Sequence, residues 1–262
     1  MKEKIKDSID FIRKYAPIAD KYGGYKVMFS GGKDSQVMLD LFLKSGVNYS
    51  AYYNVTTNDP PENVYFIRKN YPGVIFIHPK QTFLQLIEKK GILPCRRTRF
   101  CCEALKEKSG KGFVAVGVRA EESTNRSKYV KLEFSSKEPN SRIFDIRRMR
   151  NNRKVLFRPI LEWREDEIWQ YIEDNNIPVN PCYETRGRVG CLFCHFCTKK
   201  ELIWNKSHYP IFYRNLIKTI QKAMDKGKFK QFANAEQVWD WWLSKLSIDD
   251  YFNSKKQLEL NF

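Results

Sequence analysis

No stretch of the 262-residue chain approaches the roughly 18 consecutive apolar residues that a membrane-spanning helix requires. The opening Met1-Lys2-Glu3-Lys4-Ile5-Lys6 mixes charges and lacks the apolar core of a secretory signal. The expectation is therefore a cytoplasmic protein with no membrane partner. Internal repeats and low-complexity tracts are missing as well, which excludes solenoids and linker-like chains. Acidic charge is scarce: 30 Asp and Glu stand against 47 Lys and Arg, for a formal net charge of +17. Histidine is scarcer still, at three residues. His78 follows a strand beside Pro79, His195 reads as a spacer between cysteines, and His208 has no evident partner. Seven cysteines, an odd number in a reducing compartment, do not make a disulfide framework.

What is present is globular: 42% hydrophobic and 15% aromatic residues. A basic excess serves solubility or polyanion binding. Here arginines gather at Arg96, Arg97, Arg99 and again at Arg142, Arg147, Arg148, Arg150, Arg153, Arg158, and their planar forks suit phosphate. A nucleic acid or another large anion is therefore the expected partner. Ile5, Ile9, Ile12 and Tyr15 have helical spacing, and Gly23-Gly24 ends that helix. Short apolar strands at Tyr25–Phe29, Tyr49–Val55, Val74–Ile77 and Phe113–Gly117 alternate with helices at Gln36–Leu43, Glu62–Asn70 and Thr82–Lys90. Such alternation predicts an α/β fold, a parallel sheet flanked by helices on both faces. A further helix covers Trp163–Glu173, 180–190 reads as loop, and the last third is helical and aromatic. The expected division is a domain over 1–200 that includes the cysteines, and a helical C-terminal extension over 201–262. Trp239, Trp241 and Trp242 could stack bases, but their spacing turns two of them toward a core.

Between the first strand and its helix lies Ser30-Gly31-Gly32-Lys33-Asp34-Ser35. The glycines let backbone approach an anion, and the helix N-terminus supplies N–H donors and a favourable dipole. Lys33 neutralises phosphate charge, and Ser30 and Ser35 carry hydroxyl donors. Asp34 stands where a Walker A loop has Ser or Thr, and the four-residue spacer is missing, so this is not a P-loop ATPase. Asp59, after the second strand, offers a carboxylate for Mg²⁺ or ribose, although an Asp before proline more commonly forms a turn.

Five cysteines form two groups, Cys101-Cys102 and Cys191, Cys194, Cys197. Thiolate sets select zinc or iron–sulfur centres. An adjacent pair is awkward around one tetrahedral zinc ion but acceptable on a wider cluster.

These residues resemble the phosphoadenosine-phosphosulfate (PAPS) and adenosine-phosphosulfate reductase family, within the PP-loop group whose fold is the Rossmann-like adenine-nucleotide α-hydrolase layout. Phe100-Cys101-Cys102-Glu103-Ala104-Leu105-Lys106 and Gly190-Cys191-Leu192-Phe193-Cys194 look like the two halves of its cluster motif. The resemblance implies a 4Fe–4S cluster on Cys101, Cys102, Cys191 and Cys194. Val116-Gly117-Val118-Arg119-Ala120-Glu121-Glu122-Ser123, followed by Arg126, is similar to the family's anion-binding segment and implies phosphate contacts from Arg119 and Arg126. Phe157-Arg158-Pro159-Ile160-Leu161-Glu162-Trp163, continuing through Ile168-Trp169-Gln170-Tyr171-Ile172, resembles the family's helix before its second cysteine pair.

By that resemblance the loop Ser30–Ser35 binds ATP or an adenylyl-sulfate nucleotide, with Lys33 and Asp34 catalytic and Mg²⁺ as a companion ion. The family's reductases use a cysteine near the C-terminus as nucleophile, whereas no cysteine follows Cys197 here. Cys95, Cys182 and Cys197 are unmarked as substitutes. The expected activity is adenylyl or sulfur transfer of the ATP-pyrophosphatase type, resembling the DNA phosphorothioation component, with a nucleic-acid acceptor. The alternatives are a sulfonucleotide reductase using an unusual or external thiol, and a non-catalytic nucleic-acid-binding protein. The C-terminal Gln257-Leu258-Glu259-Leu260-Asn261-Phe262 looks like a peptide that docks on a bacterial sliding clamp, or else is an amphipathic tail.

Overall fold

The computed structural model describes residues 1–107, 111–134 and 154–260. Arg142, Arg147, Arg148, Arg150 and Arg153 lie outside these residues, as do Asn261 and Phe262. Among the described residues no helix is long and apolar enough to cross a membrane. Two compact units, interleaved in sequence, divide the chain. The first comprises Met1–Val55, Pro60–His78 and Lys108–Val189; the second comprises Thr56–Asp59, Pro79–Glu107 and Gly190–Phe262.

The first unit is built on a six-stranded sheet in the order β3-β2-β1-β4-β6-β5. Its strands are β1 (Tyr25–Met28), β2 (Tyr49–Asn54), β3 (Ile75–Ile77), β4 (Gly112–Val116), β5 (Leu132–Phe134) and β6 (Lys154–Phe157). All neighbours are parallel except the edge strand β5, which runs antiparallel to β6. The helices of this unit are α1 (Lys2–Asp20), α2 (Lys33–Ser45), α3 (Pro61–Asn70), α6 (Glu165–Asp174) and α7 (Cys182–Arg186). The central strands are mostly apolar because helices cover both faces of the sheet. Val27, Phe113, Ala115, Val155 and Phe157 are fully buried, packed with Ile12, Val37, Met38, Leu41 and Phe42 from the helices. Gly46 ends α2 in the left-handed conformation.

Two strands escaped the sequence pattern. β5 and β6 flank Arg158, whose buried guanidinium donates to the Val130 carbonyl (2.7 Å) and to Glu133 (2.6 Å) and lies over the Tyr129 ring. Arg158 is therefore a structural tie within the sheet edge and not a member of an exposed arginine cluster. The stretch 180–190, expected as loop, contains the short helix α7, closed by Gly187 in the left-handed region.

The second unit is helical: α4 (Phe83–Lys90), α5 (Phe100–Cys102, continuing as a wider turn over Glu103–Glu107), α8 (Lys199–His208), α9 (Pro210–Asp225), α10 (Ala235–Ser244) and α11 (Ile248–Leu260). Thr82 and Thr198 cap α4 and α8 with reciprocal side-chain and backbone bonds. The core of this unit contains Phe83, Ile87, Leu192, Phe193, Leu216, Ile220, Trp239 and Trp242. Of the three late tryptophans, Trp239 and Trp242 are buried, as their spacing required.

Candidate functional site

In the first unit the chain runs β1 to β2 to β3 on one side, then places β4 on the other side of β1. The carboxyl ends of β1 and β4 thus form a topological switch point, where open α/β sheets receive ligands. Ser30–Ser35 leaves β1 there and Gly117–Arg119 leaves β4. The two segments touch: a Cβ on Gly117 would stand 3.2 Å from the Asp34 carbonyl and from the Ser35 nitrogen.

The loop is held from several sides. Ser35 Oγ donates to the Gly32 carbonyl (2.8 Å) and accepts from the Ser30 N–H (3.1 Å). Gly31 has φ +78°, and a Cβ there would lie 2.3 Å from Asn63 Oδ1. Asn63 donates to the Ser30 carbonyl (3.2 Å), while Asn180 donates to the Gly31 carbonyl (2.9 Å) and to Asn63 Oδ1 (2.7 Å). Both asparagines are buried, so this amide network fixes the backbone of the loop. Gly32 begins α2 without a side-chain cap. The Lys33 N–H instead donates to the Tyr183 hydroxyl (2.9 Å). Burial, with help from Asp34 and Glu165, pushes the Tyr183 phenol up to about 12, so it stays protonated at neutral pH.

Charge is concentrated around the loop. The Lys33 ammonium lies 3.2 Å from Glu165 and 3.5 Å from Asp34, beside the Trp169 and Tyr183 rings. Arg119 is 3% exposed and donates to Asp34 (2.5 Å) and to Glu121 (2.7 Å). Burial works against its charge, but Asp34, Glu122 and Glu165 hold it protonated. Asp34 is thus clamped between two cations. Arg126 pairs with Glu122 and is more exposed. The structure therefore gathers Ser30, Gly31, Gly32, Lys33, Asp34, Ser35 and Arg119 in one place, while Arg126 sits with Glu122 on the neighbouring turn. Sequence reasoning missed Tyr183, Asn63, Asn180 and Glu165. Glu165 carried only the signal of an acid at a helix start, and the others carried none.

The thiols come together in the second unit. The free Cys101 and Cys102 thiols are hydrogen-bonded to each other, and Cys101 lies within electrostatic reach of Cys191 and Cys194. That bond raises the Cys101 thiol and lowers that of Cys102, with burial and the neighbouring thiols pushing Cys101 further up. Cys191 Sγ lies 3.6 Å from the Thr56 hydroxyl. The Lys106 ammonium is held protonated by Cys191, Asp59 and Cys102, although burial opposes this. Asp59 accepts the Thr56 N–H (2.7 Å), the turn-forming role. Among the described residues no three His, Cys, Asp or Glu side chains converge as ligands on a single metal ion. His195 keeps its ring against Trp242 and its buried Nδ1 without a partner. His208 stacks on Trp204 at 3.7 Å, and His78 is exposed.

A mostly parallel sheet, switching direction beside a glycine loop that opens a helix, defines a PP-loop domain of the adenine-nucleotide α-hydrolase-like class. Within that class the chain belongs to the phosphoadenosine phosphosulfate reductase domain family, whose family model matches residues 24–197. It is 27% identical over 231 residues to an uncharacterized protein of Methanocaldococcus jannaschii, covering 83% of this chain and 53% of that one. The adenosine 5'-phosphosulfate reductase of Oceanobacillus iheyensis is 27% identical over 179 residues, 63% of this chain and 68% of that one. Sulfate adenylyltransferase subunit 2 of Caulobacter vibrioides is 29% identical over 207 residues, 68% of this chain and 63% of that one. The chain spans about half the length of the two Methanocaldococcus relatives it matches. Among solved structures, the PAPS reductase of Candida auris in a phosphate complex aligns at TM-score 0.46 and 15% identity, covering 71% of this chain and 95% of that one.

Proposed function

We propose that the protein is a PP-loop enzyme that binds ATP or an adenylyl-sulfate nucleotide at Ser30–Ser35 and transfers an adenylyl group or sulfur to a nucleic-acid acceptor. The observation that carries this reading is the clamped loop at the β1/β4 switch point: Lys33 and the buried Arg119 converge on Asp34 at an uncapped helix N-terminus. Preorganised charge of this kind suits phosphoryl chemistry, where positioning and charge stabilisation do most of the work. In the adenylyl step an acceptor oxygen attacks the α-phosphorus, the α–β bridging bond breaks, and pyrophosphate leaves with the electron pair. A sulfur nucleophile then displaces AMP. Lys33 neutralises phosphate charge, and Arg119 holds Asp34 oriented toward the loop.

Cys101, Cys102, Cys191 and Cys194 would hold a 4Fe–4S cluster. Cys102, Cys191 and Cys194 all lie within electrostatic reach of Cys101, which supports that. Such a cluster supplies electron-transfer or electrostatic chemistry when bound. The support for a nucleic-acid acceptor is the +17 charge and the exposed Arg96, Arg97 and Arg99. The C-terminal Gln257–Phe262 is read as a clamp-docking peptide; a clamp pull-down unchanged by deleting these residues would remove that partner.

The deciding experiment supplies ATP or adenylyl sulfate to the anaerobically purified chain and follows release of pyrophosphate, AMP and sulfite. Lys33→Ala is expected to abolish turnover with an unchanged circular dichroism spectrum, and retained ATP cleavage would defeat the loop assignment. The similarity to adenosine 5'-phosphosulfate reductases favours a second reading, a sulfonucleotide reductase drawing on an external thiol. Thioredoxin-dependent sulfite release without pyrophosphate would establish it.

A further inference from the structure

A tight turn in the second unit precedes the cysteine pair. The Cys95 N–H donates to the Thr98 carbonyl (3.2 Å), and the Thr98 N–H donates back to Cys95 Sγ (3.3 Å). Closed in this way, the turn carries Arg96 and Arg97 at its tip, and Arg99 follows directly; all three are exposed. Among the described residues none of the three makes an ion pair with a carboxylate. A further cation, Lys245, lies within electrostatic reach of Arg96, and its ammonium is tied to the His195 carbonyl (2.8 Å). Glu201 acts on Lys245 from the acidic side, but the three arginines have no carboxylate ion pair among the described residues; like charges gathered in this way raise the energy of the free protein and create a potential that an anion relieves.

The same patch presents an aromatic face. Phe196 is 47% exposed, and the Arg99 guanidinium lies 5.8 Å from its ring centre. Arginines that meet phosphates, beside an aromatic on which a base can stack, are the elements of single-strand recognition. A duplex keeps its base faces covered and leaves Phe196 without a partner.

We propose that Arg96, Arg97, Arg99, Lys245 and Phe196 form a docking surface for single-stranded nucleic acid, with phosphates on the cations and one base on Phe196. This rests on the nucleic-acid acceptor proposed above and specifies its strand state and its place on the second unit.

The test is fluorescence anisotropy of the full, anaerobically purified chain with a labelled oligothymidylate over a salt series. Two phosphate contacts on a single strand contribute about 1.4 to the slope of log affinity against log salt. The double substitution Arg96→Gln/Arg97→Gln should lower the slope by that amount. Phe196→Leu keeps an apolar side chain but removes the ring, and should weaken binding roughly tenfold with the slope unchanged. Thermal melts and iron content confirm that each variant is intact. The control, Arg214→Gln/Lys218→Gln, removes two exposed cations from α9 and should leave the slope close to wild type. Equal losses in both double variants would reduce the effect to bulk charge and overturn the proposed surface. Binding that survives Arg96→Gln/Arg97→Gln unchanged would overturn the surface while leaving the acceptor reading standing. Duplex bound as tightly as single strand would overturn the stacking role. No binding by the wild-type chain would overturn the acceptor reading and this surface together.

Discussion

Gly31→Ala tests the loop assignment most directly, because two separate costs fall on one methyl group. At φ +78° an L-residue is strained by about 1–2 kcal/mol relative to glycine. The added Cβ would also stand 2.3 Å from Asn63 Oδ1 and 3.0 Å from two Ile67 carbons, so Asn63 must move. Moving it breaks the buried bond from Asn180, worth about 1–3 kcal/mol when a partner is left unsatisfied. The sum is a loss of roughly 2–5 kcal/mol, a large share of the ~5–15 kcal/mol that stabilises a typical domain. Gly46→Ala provides the reference. Gly46 has a similar φ of +71° but nothing within 4 Å of its hypothetical Cβ, so only the strain of about 1–2 kcal/mol applies. Urea denaturation of both variants gives the difference, and an ATP titration shows whether the displaced loop still binds. If Gly31→Ala costs no more than Gly46→Ala and ATP binds as before, the amide network does not hold the loop and the argument fails.

Tyr183→Phe keeps the ring beside Trp169 but removes the acceptor of the Lys33 N–H. The hydroxyl's own proton remains available to an anion, so its loss should weaken ATP binding by about 1–1.5 kcal/mol, close to tenfold. Tighter binding in the variant would mean that the phenol occupies the anion position itself. Cys101→Ser and Cys194→Ser should each remove iron and sulfide from the anaerobic preparation and bleach its visible absorbance; about four irons per chain are expected beforehand. One zinc and no iron in the parent protein would replace the cluster with a structural metal.

Much of the first unit could be read from the sequence because its signals are local. Val27, Met28 and Phe29 form a short apolar run, glycines follow, and helical periodicity resumes at Gln36, so the loop's place between strand and helix was legible. Gly46 and Thr82 marked helix ends through their own conformational chemistry. What escaped depends on tertiary partners. Asn180 acts on Gly31 across 149 residues and on Asn63 across 117, and no spacing rule connects them. Arg158 looked like one more phosphate fork, yet its charge is satisfied inside the β5–β6 edge. Tyr183 lay in a proline- and glycine-bounded stretch that resembles a loop, where a single helical turn leaves no periodicity to detect. Thr56–Asp59 joins the thiol-bearing unit although it directly follows β2, because the contacts of Asn58 go to Leu192 and Phe193.

The charge balance at the loop makes one more demand on any nucleotide. Lys33 and Arg119 are already engaged by Asp34, Glu121 and Glu165, two cations against three carboxylates. The N-terminal dipole of α2 adds only about half a positive charge. A triphosphate entering this site alone would meet carboxylates within reach of its own oxygens, and the repulsion would offset the hydrogen bonds it gains. A divalent cation removes the conflict, because carboxylate and phosphate oxygens can then share it, and Mg²⁺ favours such mixed sets with one or two carboxylates. ATP affinity measured by calorimetry should therefore fall at least tenfold when Mg²⁺ is replaced by EDTA. Asp34→Asn should reduce that dependence, since it removes the carboxylate nearest Lys33 and Arg119. Adenylyl sulfate carries less phosphate charge and should depend on Mg²⁺ less steeply. If ATP binds equally well in EDTA, the carboxylates serve only to orient Lys33 and Arg119, and Mg²⁺ has no place in the site.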